Sequence, residues 1–164
     1  MTVPTPSGFV GDGQSERATR QFVTLTIADQ LFGVPVLSVQ DVLAPQPVAR
    51  VPLAHPVVAG LINLRGRIVT AINMRQRMAL PPREDDAAGM NVVCEYQGEL
   101  YSLDIDTIGD VISIPLDKIE GNLATLDPLW RSFADGIYRL DDQLLVILDI
   151  TRLLDFDLDA ADAA

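Results

Sequence analysis

Residues 60–78 read GLINLRGRIVTAINMRQRM, and the fold follows from this stretch. Leu61, Ile62 and Leu64 make an extended apolar pattern that runs into Arg65-Gly66. Glycine accepts positive φ at no steric cost, so Arg65-Gly66 predicts a two-residue hairpin turn. Ile68, Val69, Ala71 and Ile72 form the return strand, interrupted by Thr70. Asn73 is placed to cap a helical turn over residues 74–78. The unit is strand, turn, strand, short helix.

The unit recurs at residues 136–154, GIYRLDDQLLVILDITRLL. Gly60 falls on Gly136, Leu64 on Leu140, Arg65-Gly66 on Asp141-Asp142, Ile68 on Leu144, Ile72 on Leu148 and Asn73 on Asp149. An Arg stands in the turn that follows each, at Arg75 and Arg152. Upstream, LFGVPVLSVQDVL at 31–43 matches LYSLDIDTIGDVI at 100–112. The offsets are 69 residues for this match and 76 for the first, so the later copy holds a longer connection. Two matches in one order predict a tandem of similar β-rich units, 21–83 and 90–156. Residues 1–20 read as a disordered Gly/Pro/Ser/Thr-rich tail, and 157–164 as an acidic tail.

A hydrophobic fraction of 48% over 164 residues is enough for one ordinary domain, or for two small units sharing a core. No apolar run is long enough to cross a bilayer, and the start of the chain lacks the pattern of a secretory signal. The single Cys94 excludes an internal disulfide and reads as a small buried hydrophobe. These features predict a cytoplasmic protein. The net charge of −11 argues against nucleic acid as a partner, because phosphate binding needs clustered Lys and Arg. The charge is uneven: six Arg against two Asp give residues 21–83 a net +4, while four basic against nineteen acidic residues give 84–164 a net −15. Either this is solvated surface, or it orients partners.

Along the chain, Val23, Leu25 and Ile27 alternate as a half-buried strand, Asp29-Gln30 is the expected turn, and LFGVPV follows as its partner. Residues 36–43 allow a helical turn before an extended segment, and Arg50-Val51-Pro52 a short strand. The polar stretch PPREDDAAGM is the candidate boundary between units. Strands are expected over 91–96, 99–103 and 108–114, with a turn at Gln97-Gly98 and a short helix started by Asp127-Pro128. About ten strands with short turns point to small β-barrels rather than a parallel α/β sheet.

No catalytic constellation is present: no phosphate-binding loop, no nucleophile elbow, and one Cys and one His in unrelated contexts. His55, in a Pro-rich loop with no second His, reads as a surface residue and not a metal ligand. The carboxylate pairs Asp85-Asp86, Asp104 with Asp106, and Asp141-Asp142 read as solvated surface rather than acid/base pairs. Trp130 reads as core packing. No catalytic residue, cofactor or metal site is expected, which directs attention to surfaces.

The segments GLINLRGRIVTAINMR, FVTLTIADQLFGVPVLSVQDVL, VISIPLDKIEG and LLVILDITRLL together resemble the CheW family of chemotaxis coupling proteins over residues 21–156. The resemblance implies an all-β fold of two five-stranded SH3-like β-barrels packed together, with short helices. It implies a non-catalytic adaptor whose partners are the regulatory domain of a CheA-type histidine kinase and the cytoplasmic hairpin tip of a chemoreceptor, with no insertion into the membrane. By the same resemblance, Arg65 and Asp41 match an ion pair, and Val39 and Gly60 match positions lining a receptor-contacting groove between barrels. Asn63 and Gly66 belong to the hairpin motif around Arg65 and complete the expected partner-binding set. Many relatives have Pro-Ile-Val-Asp-Leu-Arg where this chain has Thr70-Ala71-Ile72-Asn73-Met74-Arg75. A non-flagellar chemosensory pathway is therefore an alternative setting. A small-ligand sensor or enzyme on a β-barrel is the alternative of a different class.

Overall fold

The computed structural model describes residues 18–83 and 89–155. Residues 1–17 of the expected tail 1–20, the expected acidic tail 157–164 and Asp85-Asp86 lie outside the described residues, while Thr19 and Arg20, expected in the disordered tail, already pair in the first strand, opposite Pro115 and Ile114. The first half holds β1 (Thr19–Ile27), β2 (Gln30–Pro35), a 3-10 turn (Val36–Ser38), β3 (Val39–Leu43), β4 (Val58–Leu64), β5 (Arg67–Asn73) and α1 (Met74–Arg77). The second half holds β6 (Met90–Tyr96), β7 (Glu99–Ile105), β8 (Thr107–Pro115), a 3-10 turn (Leu116–Lys118), α2 (Pro128–Arg131), β9 (Ala134–Arg139), β10 (Leu144–Leu148) and α3 (Ile150–Leu154).

The turns follow from local chemistry. Arg65 and Gly66 have φ of 53° and 84°, as a two-residue type I′ hairpin requires, and Gln97 and Gly98 repeat this at 54° and 80°. The first hairpin turns on Ala28 and Asp29, at φ 51° and 68°, one residue earlier than the sequence suggests. Asn73 caps α1 by accepting from the Gln76 N–H, and Asp149 caps α3 by accepting from the Arg152 N–H. Asp127 caps α2 with Pro128 at the first helical position. Arg50-Val51-Pro52 is not a strand, because this segment touches the sheet through a single bridge, Ala49 to Leu61.

The ten strands of the described residues form two five-stranded sheets, β9-β10-β2-β1-β8 and β3-β6-β7-β5-β4. Neither sheet belongs to one half of the sequence. Sheet I takes β1 and β2 from the first half and β8, β9 and β10 from the second; sheet II takes β3, β4 and β5 from the first and β6 and β7 from the second. Reading sheet II backwards gives β4-β5-β7-β6-β3, so each strand occupies the place of the strand five positions away in sheet I. Two parallel pairs, β10 with β2 and β5 with β7, lock the halves together. The chain crosses between sheets at only two places among the described residues: the Val36–Ser38 turn, from β2 to β3, and Asp106, between β7 and β8. The polar stretch after α1 joins two elements on the sheet II side and is not a crossing.

Because the halves interleave, the uneven charge of the sequence does not become a basic barrel and an acidic one. Sheet I strands carry Arg20 and Arg139 against Asp110 and Asp135; sheet II strands carry Arg67 against Asp41, Glu95, Glu99 and Asp104.

The core has three parts. Phe22, Ile114, Leu145 and Ile147 fill sheet I's own interior, and Ile62, Val69, Ala71, Val93 and Leu100 fill that of sheet II. A larger shared core lies between them, holding Leu25, Ile27, Phe32 and Val146 from sheet I and Ile72, Val92, Cys94 and Leu103 from sheet II. Strands such as β10 (LLVIL) bury both faces, which is why they read as continuous apolar runs rather than alternating ones.

Candidate partner-binding surface

The Arg65 side chain stands at the tip of the β4–β5 hairpin, 77% exposed, with its backbone in the left-handed region. Its Nη1 lies 3.5 Å from Asp41 Oδ2. Asp41 is on β3 and Arg65 follows β4, so the pair joins the two outer strands of sheet II and marks where the sheet curls into a barrel. Asp41 is oriented by its Oδ1, which accepts from the Val42 N–H at 2.8 Å. Asn63 Oδ1 accepts from the Gly66 N–H at 2.9 Å and tightens the turn. Asp41, Asn63, Arg65 and Gly66 thus form one local constellation. Exposed Val42 and Ile68 flank it, giving the mixture of apolar area and charge found at protein interfaces.

The other two expected residues have different surroundings. Val39 lies opposite Cys94 at the start of β3, half-buried against the shared core. Gly60 sits at a bulge in the β4–β5 pairing. A Cβ there would come within 2.2 Å of the Ala49 carbonyl oxygen, so glycine is required for residues 45–52 to lie against β4. Gly136 has the equivalent place in sheet I, where a Cβ would meet Ile119 at 2.5 Å.

His55 is a loop constraint. Its Nδ1 accepts from the Val57 N–H at 3.1 Å. Among the described residues, no cluster of three or more His, Cys, Asp or Glu could hold a metal ion. Cys94 is fully buried, and burial pushes its thiol up to about 12. Trp130 stacks obliquely on Phe32 with centroids 5.4 Å apart, and its indole N–H donates to the Met78 carbonyl at 3.0 Å.

Asp104 and Asp106 are not solvated surface but half-buried acceptors of Arg75 and Arg83. Arg83 Nη1 and Nη2 each lie 2.9 Å from an oxygen of Asp104, and its Nε is 3.0 Å from Asp106 Oδ1. Arg75 Nη2 is 2.7 Å from Asp106 Oδ2. The alternation of two Asp at a strand end gives no sign of this, because both cations come from 21 to 31 residues away.

Comparison with known proteins agrees with the fold. The CheW-like domain family matches residues 21–157. A probable chemotaxis protein CheW of Rhizobium etli is 25% identical over 134 residues, covering 82% of this chain and 86% of that one. The chemotaxis protein CheW of Helicobacter pylori is 26% identical over 137 residues, covering 84% and 82%. The crystal structure of the scaffolding protein TtCheW from Thermoanaerobacter tengcongensis matches with a TM-score of 0.74 at 25% identity, over 85% of this chain and 95% of that one. With the match spanning nearly the whole described fold, the chain belongs to the CheW-like family of chemotaxis scaffold proteins, which are adaptors and not enzymes.

Proposed function

We propose that this chain couples transmembrane chemoreceptors to a CheA-type histidine kinase in the cytoplasm. The observation that carries the reading is Arg65. An exposed arginine in a left-handed turn, paired with Asp41 across the barrel's outer strands, is a costly arrangement for stability alone. It suits a recognition surface. On this reading the receptor's helical hairpin tip lies in a groove between the barrels beside Val39, an apolar helix-in-groove contact, and Gly60, covered by Ala49, acts by letting residues 45–52 pack close to β4. The Arg65–Asp41 constellation orders the groove's rim. Barrel ends dock to the kinase's related regulatory domain by head-to-tail contacts that close into rings.

The test is Arg65→Glu in a reconstituted mixture of receptor fragment, kinase and this protein. Receptor control of kinase activity is lost while the circular dichroism spectrum stays unchanged. Retained control would count against the groove.

A further inference from the structure

We propose that barrel II carries a docking site for an acidic segment with an aromatic residue, between Tyr101, Ala54 and the end of α3, and that its occupant is this chain's own DFDLD, residues 155–159. The basis is a place that barrel I fills for itself and barrel II leaves open. The repeat at an offset of 76 extends upstream of Gly60 and Gly136, where PLAHPV at 52–57 matches PLWRSF at 128–133. Main-chain bonds agree with this match. The Asn73 N–H donates to the Val57 carbonyl at 2.8 Å, and the Asp149 N–H to the Phe133 carbonyl at 2.9 Å. Ala54 therefore stands where Trp130 stands, Tyr101 where Phe32 stands, and Leu154 where Met78 stands.

In barrel I the place is covered. Pro128-Leu129-Trp130 opens α2, and Leu129 and Trp130 both pack against the shared core. Trp130 lies on Phe32 and bonds to the Met78 carbonyl, and Phe32 is fully buried. In barrel II the matching Pro52-Leu53-Ala54 forms no such cover. Leu53 takes a φ of 64°, in the left-handed region, and is 103% exposed. Alanine stands in place of the tryptophan, and Tyr101 stays only partly buried. A fully exposed leucine in a backbone conformation that disfavours it marks a contact surface rather than a stable end point.

Position, size and charge select the occupant. Arg77 donates to the Leu153 and Arg152 carbonyls and fixes the end of α3 beside α1, so the chain leaves Asp155 at this site. Phe156, the first residue beyond those described, follows Leu154 by two, a reach of about 7 Å. Its counterpart in the repeat is Leu80, which packs against the shared core. No Asp or Glu stands between Val42 and Arg83, and exposed Arg50 makes no ion pair among the described residues. Residues 155–159 supply the opposite charge, alternating Asp155, Asp157 and Asp159 with Phe156 and Leu158. On an extended chain that alternation gives one apolar and one acidic face. Phe156 and Leu158 then cover Tyr101, Ala54 and Leu53, and the carboxylates meet Arg50. While the segment is docked, this apolar area is closed to partners. The inference stands on the repeat and not on which partners the Arg65 surface binds.

The test uses the full chain with Leu53→Cys and Leu158→Cys, which keeps Phe156, while Cys94 stays buried. Mild oxidation should close an intramolecular disulfide at least about tenfold faster than in a control pair, Val111→Cys with Leu158→Cys, because docking raises the local concentration of one thiol at the other. Val111 is an exposed position on barrel I. Adding Phe156→Ala to the first pair should bring its rate down to that of the control. A second measurement needs no added cysteine. Chymotrypsin cuts after Phe156 only when the segment is released, so Arg50→Glu should speed this cut by about three- to fivefold, the worth of one exposed ion pair. Equal disulfide rates in the two pairs would overturn the proposal, as would a cut that Arg50→Glu leaves unchanged. A disulfide joining two molecules would assign the segment to a second copy and overturn it as well.

Discussion

Leu61 and Ala49 exchange both backbone hydrogen bonds at 2.8 Å, and Gly60 is the residue that allows it. A side chain at position 60 would drive into the Ala49 carbonyl. The backbone there, at φ +152°, is also one that other residues rarely adopt.

Gly60→Ala and Gly66→Ala therefore separate two costs. Gly66 has φ +84°, but a Cβ added there would meet nothing within 4 Å, so its substitution costs only backbone strain, on the order of 1 kcal/mol. Gly60→Ala adds a clash with main chain and should cost more, about 2–4 kcal/mol. Urea unfolding of the two variants checks the order. Equal losses would mean that residues 45–52 move aside without cost.

Arg65 gives the reverse sign. Asn tolerates the left-handed region better than Arg, and Asn-Gly is the preferred type I′ pair. Arg65→Asn should raise stability by about 0.5–1 kcal/mol while losing the coupling of receptor to kinase. A double-mutant cycle between Asp41 and Arg65 should give a coupling below about 1 kcal/mol, because the arginine is largely in water. A stabilised variant that still couples would remove the functional role from this side chain.

The legible parts of the fold are the local ones. Arg65-Gly66 and Gln97-Gly98 announce their turns because glycine is the residue that positive φ favours. Ala28-Asp29 has the same geometry without glycine, so the residues alone place that turn one position late. Asn73 and Asp149 announce their helices by their capping chemistry. Strand exchange is not legible. Apolar patterning shows that residues 144–148 are extended, but the parallel pairing of Leu145 with Leu31 is a contact across more than a hundred residues. The Arg83–Asp104–Asp106 cluster is hidden for the same reason, since no local pattern marks a charge that will be half-buried by a distant partner. The repeat is visible in the sequence. Its charged crossing at Asp106 and apolar crossing at Leu37 become meaningful only when both are seen as crossings.

Cys94 supplies a probe of global opening. It lies in the shared core, and burial raises its thiol to about 12. The reactive thiolate is then scarce at neutral pH, and the sulfur is out of reach. Native protein at about pH 8, near the ordinary thiol value, should resist a thiol reagent, with full modification in urea above the unfolding midpoint. Rapid labelling of native protein would mean that the two barrels separate far more often than global unfolding allows.

The last prediction concerns acid. Burial opposes the charged form of Asp106, but the Ala28 N–H, Arg75 and Arg83 together outweigh it and hold the carboxyl below its ordinary value of 3.8. In the unfolded chain this carboxyl takes up its proton near 3.8, while in the folded chain it is still ionised. The unfolded state then binds more protons, so stability falls as pH falls. Asp106's contribution is fully present above the unfolded value and is lost as pH drops through the folded one. Asp106→Asn removes this dependence, so the acid limb of a stability–pH curve should be shallower than in the unaltered protein, by at most about 1.4 kcal/mol per pH unit, the slope of one proton. At neutral pH the variant should be the less stable of the two, because Arg75 and Arg83 lose the charge they share. The difference should narrow as pH falls through the ordinary carboxylate value of 3.8 and on toward the lower folded value, the window in which the two states differ in this proton. Urea midpoints across that range measure it. Parallel curves would show that the charge on Asp106 makes no difference to folding.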